Sequence, residues 1–206
     1  ALPAVILWLS FPNTIQEIIV SSAETAEHTP EEDSTLLFYA DKIRGVWIAS
    51  VYNLNYPSSP GLPREELEQE LDAIVENADR LSLNTLFFQV RPSTDALYTS
   101  NLFPTSYFLS GEQGKAADGE FDPLAYLLEK AHGAGIAVYA WINPLRVTCG
   151  SRVSPRWDTE ALSPDNPARQ HPEWTVAYAD GKLYFDPGYP SVREMIATGV
   201  AELVTC

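Results

Sequence analysis

The sequence has 206 residues, which is enough to bury the core of one domain or slightly more. Its 28 acidic and 13 basic side chains give a formal net charge of −15. A surface this negative repels nucleic-acid phosphates and anionic lipid headgroups, so we expect neither nucleic acid nor a membrane surface as a partner. The hydrophobic share of 45% is that of an ordinary soluble globular protein.

The N-terminal residues differ in composition from the rest of the chain. Residues 1–11 are apolar and uncharged, a run too short to cross a bilayer but suited to the hydrophobic part of a secretory signal. Ser21-Ser22-Ala23 offers a small-residue cleavage site, and residues 24–42 form an acidic linker. We expect residues 1–23 to be a signal-peptide remnant, with a buried apolar segment as the alternative. Export would place the protein in the cell envelope or outside the cell, with no membrane span in the mature chain.

Residues 43–206 alternate strand and helix patterns. Near-continuous apolar runs, typical of strands buried on both faces, occupy residues 45–51, 85–90 and 136–142. Each run is followed by an amphipathic helix pattern.

The starts of the three helices carry local signals. Glu65 and Glu66 lie in the first turn of the first helix, where the helix dipole favours acidic side chains. Asp122-Pro123 predicts the N-cap and first residue of the second helix. Ser191 and Glu194 predict a capping box at the start of the third.

The order of these elements predicts an α/β fold. No glycine-rich phosphate turn follows the first strand, which argues against a dinucleotide-binding sheet. A (β/α)₈ TIM barrel of about 250 residues accounts for the repeats, and residues 43–206 would then hold about its first three βα units.

Two connections are much longer than usual βα loops, which predicts functional segments. The first covers residues 91–120. The second follows the third strand and contains Asp180-Gly181 between apolar and aromatic residues, which predicts a β-hairpin.

Polar side chains gather where the predicted strands end, the edge at which barrel enzymes hold their active sites. They combine amide, guanidinium, carboxylate and aromatic groups, the chemistry needed to bind sugar hydroxyls and N-acetyl groups. The set comprises Gln89, Arg91, Asp95, Tyr98, Trp141, Asn143, Arg146 and Asp186.

Structural alternatives stay open for several of these residues. Arg91 and Asp95 could form an ion pair that braces a loop. Asp186 could serve only a turn, and Trp141 could belong to the barrel interior.

The histidines and cysteines predict no metal centre. His28, His132 and His171 lack metal-ligand spacing, and Cys149 and Cys206 belong to no CxxC pair. We therefore expect neither a metal site nor a cofactor, and a Cys149–Cys206 disulfide has little support.

Ordered motifs across residues 43–204 resemble glycosyl hydrolase-like family 10 of bacterial envelope proteins. The motifs are Arg44-Gly45-Val46-Trp47, residues 84–92, residues 95–98, residues 140–146, His171-Pro172-Glu173-Trp174 and residues 183–188. The resemblance implies a TIM-barrel glycosidase fold and a secreted or lipoprotein location. For some members it also implies hydrolysis of peptidoglycan strands that lack stem peptides.

Two departures from the family pattern affect the expected site. Tyr139 stands where family members often have histidine. The family's acidic fourth-strand motif would follow Leu203-Val204, so the resemblance places the main catalytic acid beyond Cys206. Within the chain Asp95 is the candidate catalytic acid, and the other polar residues of the set would orient the sugar.

Three hypotheses follow. The full-length protein is a glycosidase that acts on cell-wall glycan or a related polysaccharide. Alternatively, it is a glycan-binding envelope protein without catalysis, or the 206-residue chain is an inactive truncated fragment of a glycosidase.

Overall fold

The computed structural model describes residues 43–149, 159–179 and 181–205, together with the backbone of residues 5–9. The predicted cleavage site and acidic linker lie outside the described residues. No helix in the described ranges is long and apolar enough to cross a membrane.

Three parallel strands form the centre of the fold. They are β2 (Gly45–Ile48), β3 (Thr85–Arg91) and β4 (Ala137–Ile142), adjacent in chain order. Thr85 pairs with Gly45 on one side and with Ala137 on the other. The three apolar runs of the sequence therefore form the three strands that they predict.

One face of this sheet is covered by helices. These are α1 (Arg64–Arg80), α3 (Pro123–Gly133) and α5 (Pro190–Val204), each following one of the three strands. The main hydrophobic core joins β3 to the helices, and it includes Leu67, Leu71, Leu86, Phe88, Val90, Leu124, Leu127 and Leu203.

Strands that neighbour one another in chain order, with their crossover helices on one face, describe a singly wound sheet. A doubly wound sheet would instead carry helices on both faces. The prediction of an α/β fold with three βα units of a barrel type is confirmed.

The opposite face of the sheet is aromatic. The rings of Trp47 and Phe87 stack with centroids 4.6 Å apart, and the Phe87 ring lies 5.1 Å from the ring of Tyr139. Trp141 meets Trp47 edge to face at 5.2 Å. We call this side the inner face, since side chains opposite the helices point toward the axis in a barrel.

The edge of β4 is paired with the N-terminal strand β1 (Val5–Leu9). The two strands run antiparallel, with Val5 opposite Ile142. Pairing satisfies backbone N–H and C=O groups that an open edge would leave without partners. The sequence predicts no strand here, and export of the protein stays a prediction.

The two long connections contain short elements. The first holds helix α2 (Tyr107–Ser110), and the second holds helix α4 (Pro167–Gln170) and the antiparallel strands β5 (Thr175–Ala177) and β6 (Leu183–Phe185). The predicted hairpin is confirmed, although Asp180 at its tip lies outside the described residues.

One of the predicted helix starts agrees with the structure and another does not. Asp122 accepts a hydrogen bond from the Ala125 N–H and caps α3, as predicted. The capping box at Ser191 is wrong. Helix α5 begins at Pro190, whose fixed φ suits a first helical position, so Ser191 already lies inside the first turn.

Gly199 of α5 provides a test of how closely this helix approaches β3. A Cβ at this position would lie 2.8 Å from Nη1 of Arg91 and 2.8 Å from the Phe103 ring, both buried. We expect Gly199→Ala to lower the free energy of unfolding by about 1–3 kcal/mol, because the buried Arg91 and Phe103 side chains would both have to shift.

Gly133→Ala is the matched control for this substitution. Gly133 ends α3, and a Cβ added there would have no neighbour within 4 Å. Alanine at this position should stabilise the protein by about 0.5 kcal/mol through lower unfolded-state entropy. Denaturant unfolding measures the free energies of unfolding of both variants. Equal values for Gly199→Ala and Gly133→Ala would contradict the close approach of α5 to β3.

Candidate functional site

Gln89 connects the end of β3 to the loop after β2. Its Oε1 accepts hydrogen bonds from the backbone N–H groups of Ser50 and Val51, both at 3.0 Å. The Ser50 hydroxyl donates to the Gln89 carbonyl oxygen at 2.8 Å. Gln89 is fully buried, and its Nε2 has no hydrogen-bond partner among the described residues. The side chain thus holds one loop in place and keeps two amide protons for another acceptor.

Trp141 lies beside Gln89 on the inner face, since the two residues pair across β3 and β4. Its indole Nε1 donates to Oδ1 of Asn143 at 3.1 Å. Nδ2 of Asn143 donates to the Pro92 carbonyl oxygen at 3.0 Å. Both the oxygen and the nitrogen of the Asn143 amide are therefore hydrogen-bonded. Through these bonds Asn143 fixes the plane of the half-buried indole at the carboxyl end of β4.

Arg91 and Tyr98 lie away from this pair, on the helix side of the sheet. A bulge in β3 places Gln89 opposite Trp141 but Arg91 opposite Ile142, whose side chain belongs to the helix-packed core. The Arg91 guanidinium lies 4.2 Å from the Phe103 ring centroid. Burial lowers the pKa of Arg91, and the electrostatic interaction with the Tyr98 hydroxyl opposes that effect. The predicted sugar contacts of Arg91 and Tyr98 stay predictions.

Asp95 is enclosed by the first long connection. Its carboxylate accepts hydrogen bonds from the Ser93 hydroxyl at 2.9 Å, the Tyr107 N–H at 3.2 Å and Nε2 of Gln113 at 3.1 Å. Asp95 therefore braces its loop through these donors, and the described ion pairs do not join it to Arg91.

Burial also changes the protonation of this carboxyl. It raises the pKa of Asp95 above its ordinary value of 3.8, although the donated hydrogen bonds oppose the shift. Together with Ser93 and Gln113, Asp95 borders a cleft of about 420 Å³. A raised pKa is the property that a general acid needs, and the catalytic role of Asp95 stays a prediction.

Arg146 and Asp186 occupy the segments around the hairpin. Arg146 pairs with Tyr184 in an isolated antiparallel bridge. Oδ1 of Asp186 accepts from the Gly188 N–H at 2.8 Å, which closes the turn before α5. This contact is the one expected if Asp186 serves only a turn. The predicted contact of Asp186 with a sugar stays a prediction.

The structure therefore brings together Gln89, Trp141 and Asn143 and separates the other predicted residues from them. Sequence reasoning missed Ser50 and Gln113, which hold Gln89 and Asp95 in place. Neither has a sequence signal, because each acts across a distance of many residues in the chain.

The described residues contain no group of three or more His, Cys, Asp or Glu side chains arranged to hold a metal ion. Cys149 is a buried, unbridged thiol, and burial raises its pKa to about 12. Cys206 lies outside the described residues.

Asp95→Asn tests the buried carboxyl. A carboxyl whose pKa is raised in the folded protein contributes stability at low pH, and this contribution is lost as the pH rises from about 4 toward the folded pKa. Asparagine does not titrate, and it replaces one acceptor oxygen by a donor, so the variant should be less stable by about 1–3 kcal/mol.

The stability difference between wild type and Asp95→Asn should then narrow as the pH rises above about 4. Denaturant unfolding at a series of pH values measures this difference. A gap that widens with pH would mean that the ionised carboxylate is the favoured form.

Comparisons with known proteins agree with the sequence resemblance. The sequence model of the family described as glycosyl hydrolase-like 10 matches residues 42–206. The glycosyl hydrolase YngK of Bacillus subtilis is 39% identical over 163 residues, covering 79% of this chain and 30% of that protein. The glycosyl hydrolase DigH of Escherichia coli is 34% identical over 173 residues, covering 79% of this chain and 39% of that protein.

The chain thus spans about a third of the length of these curated relatives. Among solved structures, the maltogenic alpha-amylase AmyB of Thermotoga neapolitana aligns with a TM-score of 0.42 and 15% identity, over 77% of this chain and 36% of that chain. Because the family match covers most of its length, this chain belongs to the glycosyl hydrolase-like 10 family and is a glycosidase-like protein.

Proposed function

We propose that the full-length protein is a glycoside hydrolase that cleaves bacterial cell-wall glycan or a related polysaccharide outside the cytoplasm. The family and the names of its relatives support glycosidase chemistry. The apolar residues 1–11 and the small residues near position 22 support export.

The observation that carries the proposal is the arrangement of Trp141, Asn143 and Gln89. An indole ring whose plane is fixed by Asn143 offers an apolar surface against which the C–H face of a sugar can pack. Beside it, Nε2 of Gln89 is a buried donor with no acceptor in the described chain. A sugar hydroxyl or N-acetyl carbonyl supplies such an acceptor, so ring and amide together suit a pyranose that carries polar substituents.

Hydrolysis itself needs two carboxylic groups on either side of the glycosidic bond. The proton donor must stay protonated near neutral pH, which requires a raised pKa. Burial of Asp95 shifts its pKa in that direction. The second carboxylic group belongs, on this proposal, to the fourth-strand motif that the family resemblance implies.

A second candidate function is glycan binding without hydrolysis. It is favoured by the hydrogen bonds of the candidate catalytic acid, because the Asp95 carboxylate already accepts from Ser93, Tyr107 and Gln113 of its own loop. A carboxylate used in this way is a poor proton donor to a substrate.

Incubation of the full-length protein with peptidoglycan strands stripped of stem peptides separates the two functions. A hydrolase releases shorter oligosaccharides that chromatography resolves over time, whereas a binding protein retains the strands and leaves their length unchanged. No release from these strands or from a panel of other polysaccharides would contradict the proposed hydrolase.

Trp141 variants test the ring as a sugar-binding surface. Trp141→Ala should lower kcat/KM by about tenfold or more, because both the ring and its hydrogen bond are lost. Trp141→Phe keeps a ring without the bond to Asn143 and should cost less. Asn143→Ala frees the indole and should raise KM with a smaller change in kcat.

Tyr126→Phe is the matched control for these variants. Tyr126 lies on α3, where its hydroxyl binds the Asp72 carboxylate. Its loss should leave kcat/KM within about twofold of wild type, a change below about 0.5 kcal/mol. Equal kcat/KM values for Trp141→Ala and Tyr126→Phe would show that Trp141 does not contribute to the site.

A further inference from the structure

The cleft of about 420 Å³ that Asp95 borders lies between the two long connections. We call it the loop cleft. The first connection contributes Tyr107 and Phe108 to its lining, and the second contributes Leu162 and Arg169. Its volume falls within the range of about 300–1,000 Å³ that is usual for small-molecule sites.

The loop cleft adjoins the Trp141 site through the segment that follows β3. Nδ2 of Asn143, the residue that orients the Trp141 indole, donates to the Pro92 carbonyl oxygen at 3.0 Å. Ser93, the next residue of the chain, lines the loop cleft. A polymer that places one sugar on the indole can therefore place a substituent of a neighbouring sugar in the loop cleft.

Hydrogen bonds between the two connections hold the walls of the loop cleft together. Oε1 of Gln113 accepts from the Ser163 N–H and from Nδ2 of Asn166, both at 3.1 Å. Nδ2 of Asn166 also donates to the Thr94 carbonyl oxygen at 3.0 Å. The approach is close at Gly114, where an added Cβ would lie 2.4 Å from Oγ of Ser163. A cleft held in this way loses little entropy when a ligand is ordered in it.

Part of the lining is apolar. Phe108 and Leu162 line the cleft and are almost fully buried, whereas Ala161 and Pro164 line it and are exposed. Apolar surface of this kind is stabilised when a small apolar group of a ligand removes it from water.

The polar part of the lining has hydrogen-bond donors to spare. Asp95 already accepts three described hydrogen bonds, from Ser93, Tyr107 and Gln113. The described hydrogen bonds of Tyr107 involve its backbone and not its hydroxyl group. In the Arg169 guanidinium only Nη1 makes a described hydrogen bond, to the Leu162 carbonyl oxygen. A ligand oxygen that accepts hydrogen bonds therefore suits this lining.

The charges of the lining favour a neutral ligand. Among the described lining residues, Arg169 is the cation, whereas Glu112 and Asp95 carry carboxyl groups. The exposed Glu112 carboxylate repels an anionic substituent and can accept a hydrogen bond from a neutral N–H group.

We infer that the loop cleft binds the acetamido group of an amino sugar that neighbours the sugar on Trp141. This group combines a carbonyl acceptor, an N–H donor and a methyl group, which match the donors, the carboxylate and the apolar surface of the lining. The protein would thus distinguish N-acetylated from deacetylated strands. The inference rests on the proposed function, because it assumes that the polymer bound at Trp141 is a glycan.

Removal of acetyl groups from the glycan provides the test. The full-length protein is titrated by calorimetry with peptide-free cell-wall strands and with the same strands after chemical N-deacetylation. High ionic strength screens the attraction between the new ammonium groups and the acidic protein. We expect the wild type to bind the acetylated strands about tenfold more tightly, the size of one hydrogen bond. Strands that are deacetylated and then acetylated again should bind as the original strands do.

Two substitutions assign the preference to the loop cleft. Ala161→Trp places a large ring at an exposed lining position, so the variant should lose most of the preference. Tyr107→Phe removes one hydroxyl group and keeps the ring, and it should lower the preference to about threefold. Ala125→Trp, at an exposed alanine of α3, is the matched control and should keep the wild-type preference.

The outcomes separate this inference from the proposed function. Equal affinity of the wild type for both kinds of strand, with cleavage of both, would overturn the inference and leave the hydrolase intact. A preference that persists in Ala161→Trp, or that is lost equally in Ala125→Trp, would also overturn it. The expected preference without any cleavage would support the inference and contradict the hydrolase. Failure to bind or cleave any glycan would overturn both.

Discussion

Burial of one face of the β2–β3–β4 sheet determines which side chains point to the inner face, where they can contact a ligand. Leu86, Phe88 and Val90 of β3 must point into the helix-packed core, so Phe87 and Gln89 point to the inner face. The same alternation on β4 buries Ile142 and leaves Trp141 on the inner face. The indole and the amide of the candidate site therefore meet because the alternate residues of both strands are apolar.

The loops beyond the strands are held to one another as well as to the sheet. Gln89 binds the loop after β2, and Asn143 binds the carbonyl group of Pro92 after β3. The Thr94 hydroxyl donates to the Arg146 carbonyl oxygen at 3.1 Å. These cross-links connect the loops that follow β2, β3 and β4. A rigid arrangement of this kind lowers the entropy lost when a ligand is ordered against it.

Much of this fold follows from sequence patterns that act locally. Apolar runs of strand length predict β2, β3 and β4, and Asp122-Pro123 predicts the start of α3 correctly. The polar residues that follow the strands do lie at their carboxyl ends. The hairpin follows from a turn signal between alternating residues.

The sequence does not predict correctly which polar side chains share one site, because contacts between residues distant in the sequence decide this. The sequence groups Arg91 with Gln89, but the bulge in β3 shifts the register by one residue, which turns Arg91 to the helix side. Asp95 receives a hydrogen bond from Gln113, and no local pattern links these two positions. Pairing of β1 with β4 likewise joins the two ends of a long intervening stretch of chain.

The central claim is that the inner face at the carboxyl ends of β3 and β4 holds the glycan. The most direct measurement is a crystal structure of the full-length protein with an uncleaved oligosaccharide bound. We expect a sugar ring packed on the Trp141 indole, with Nε2 of Gln89 donating to one of its oxygens. An oligosaccharide bound on the helix side, against Arg91 and Tyr98, with the Trp141 ring uncovered, would contradict it.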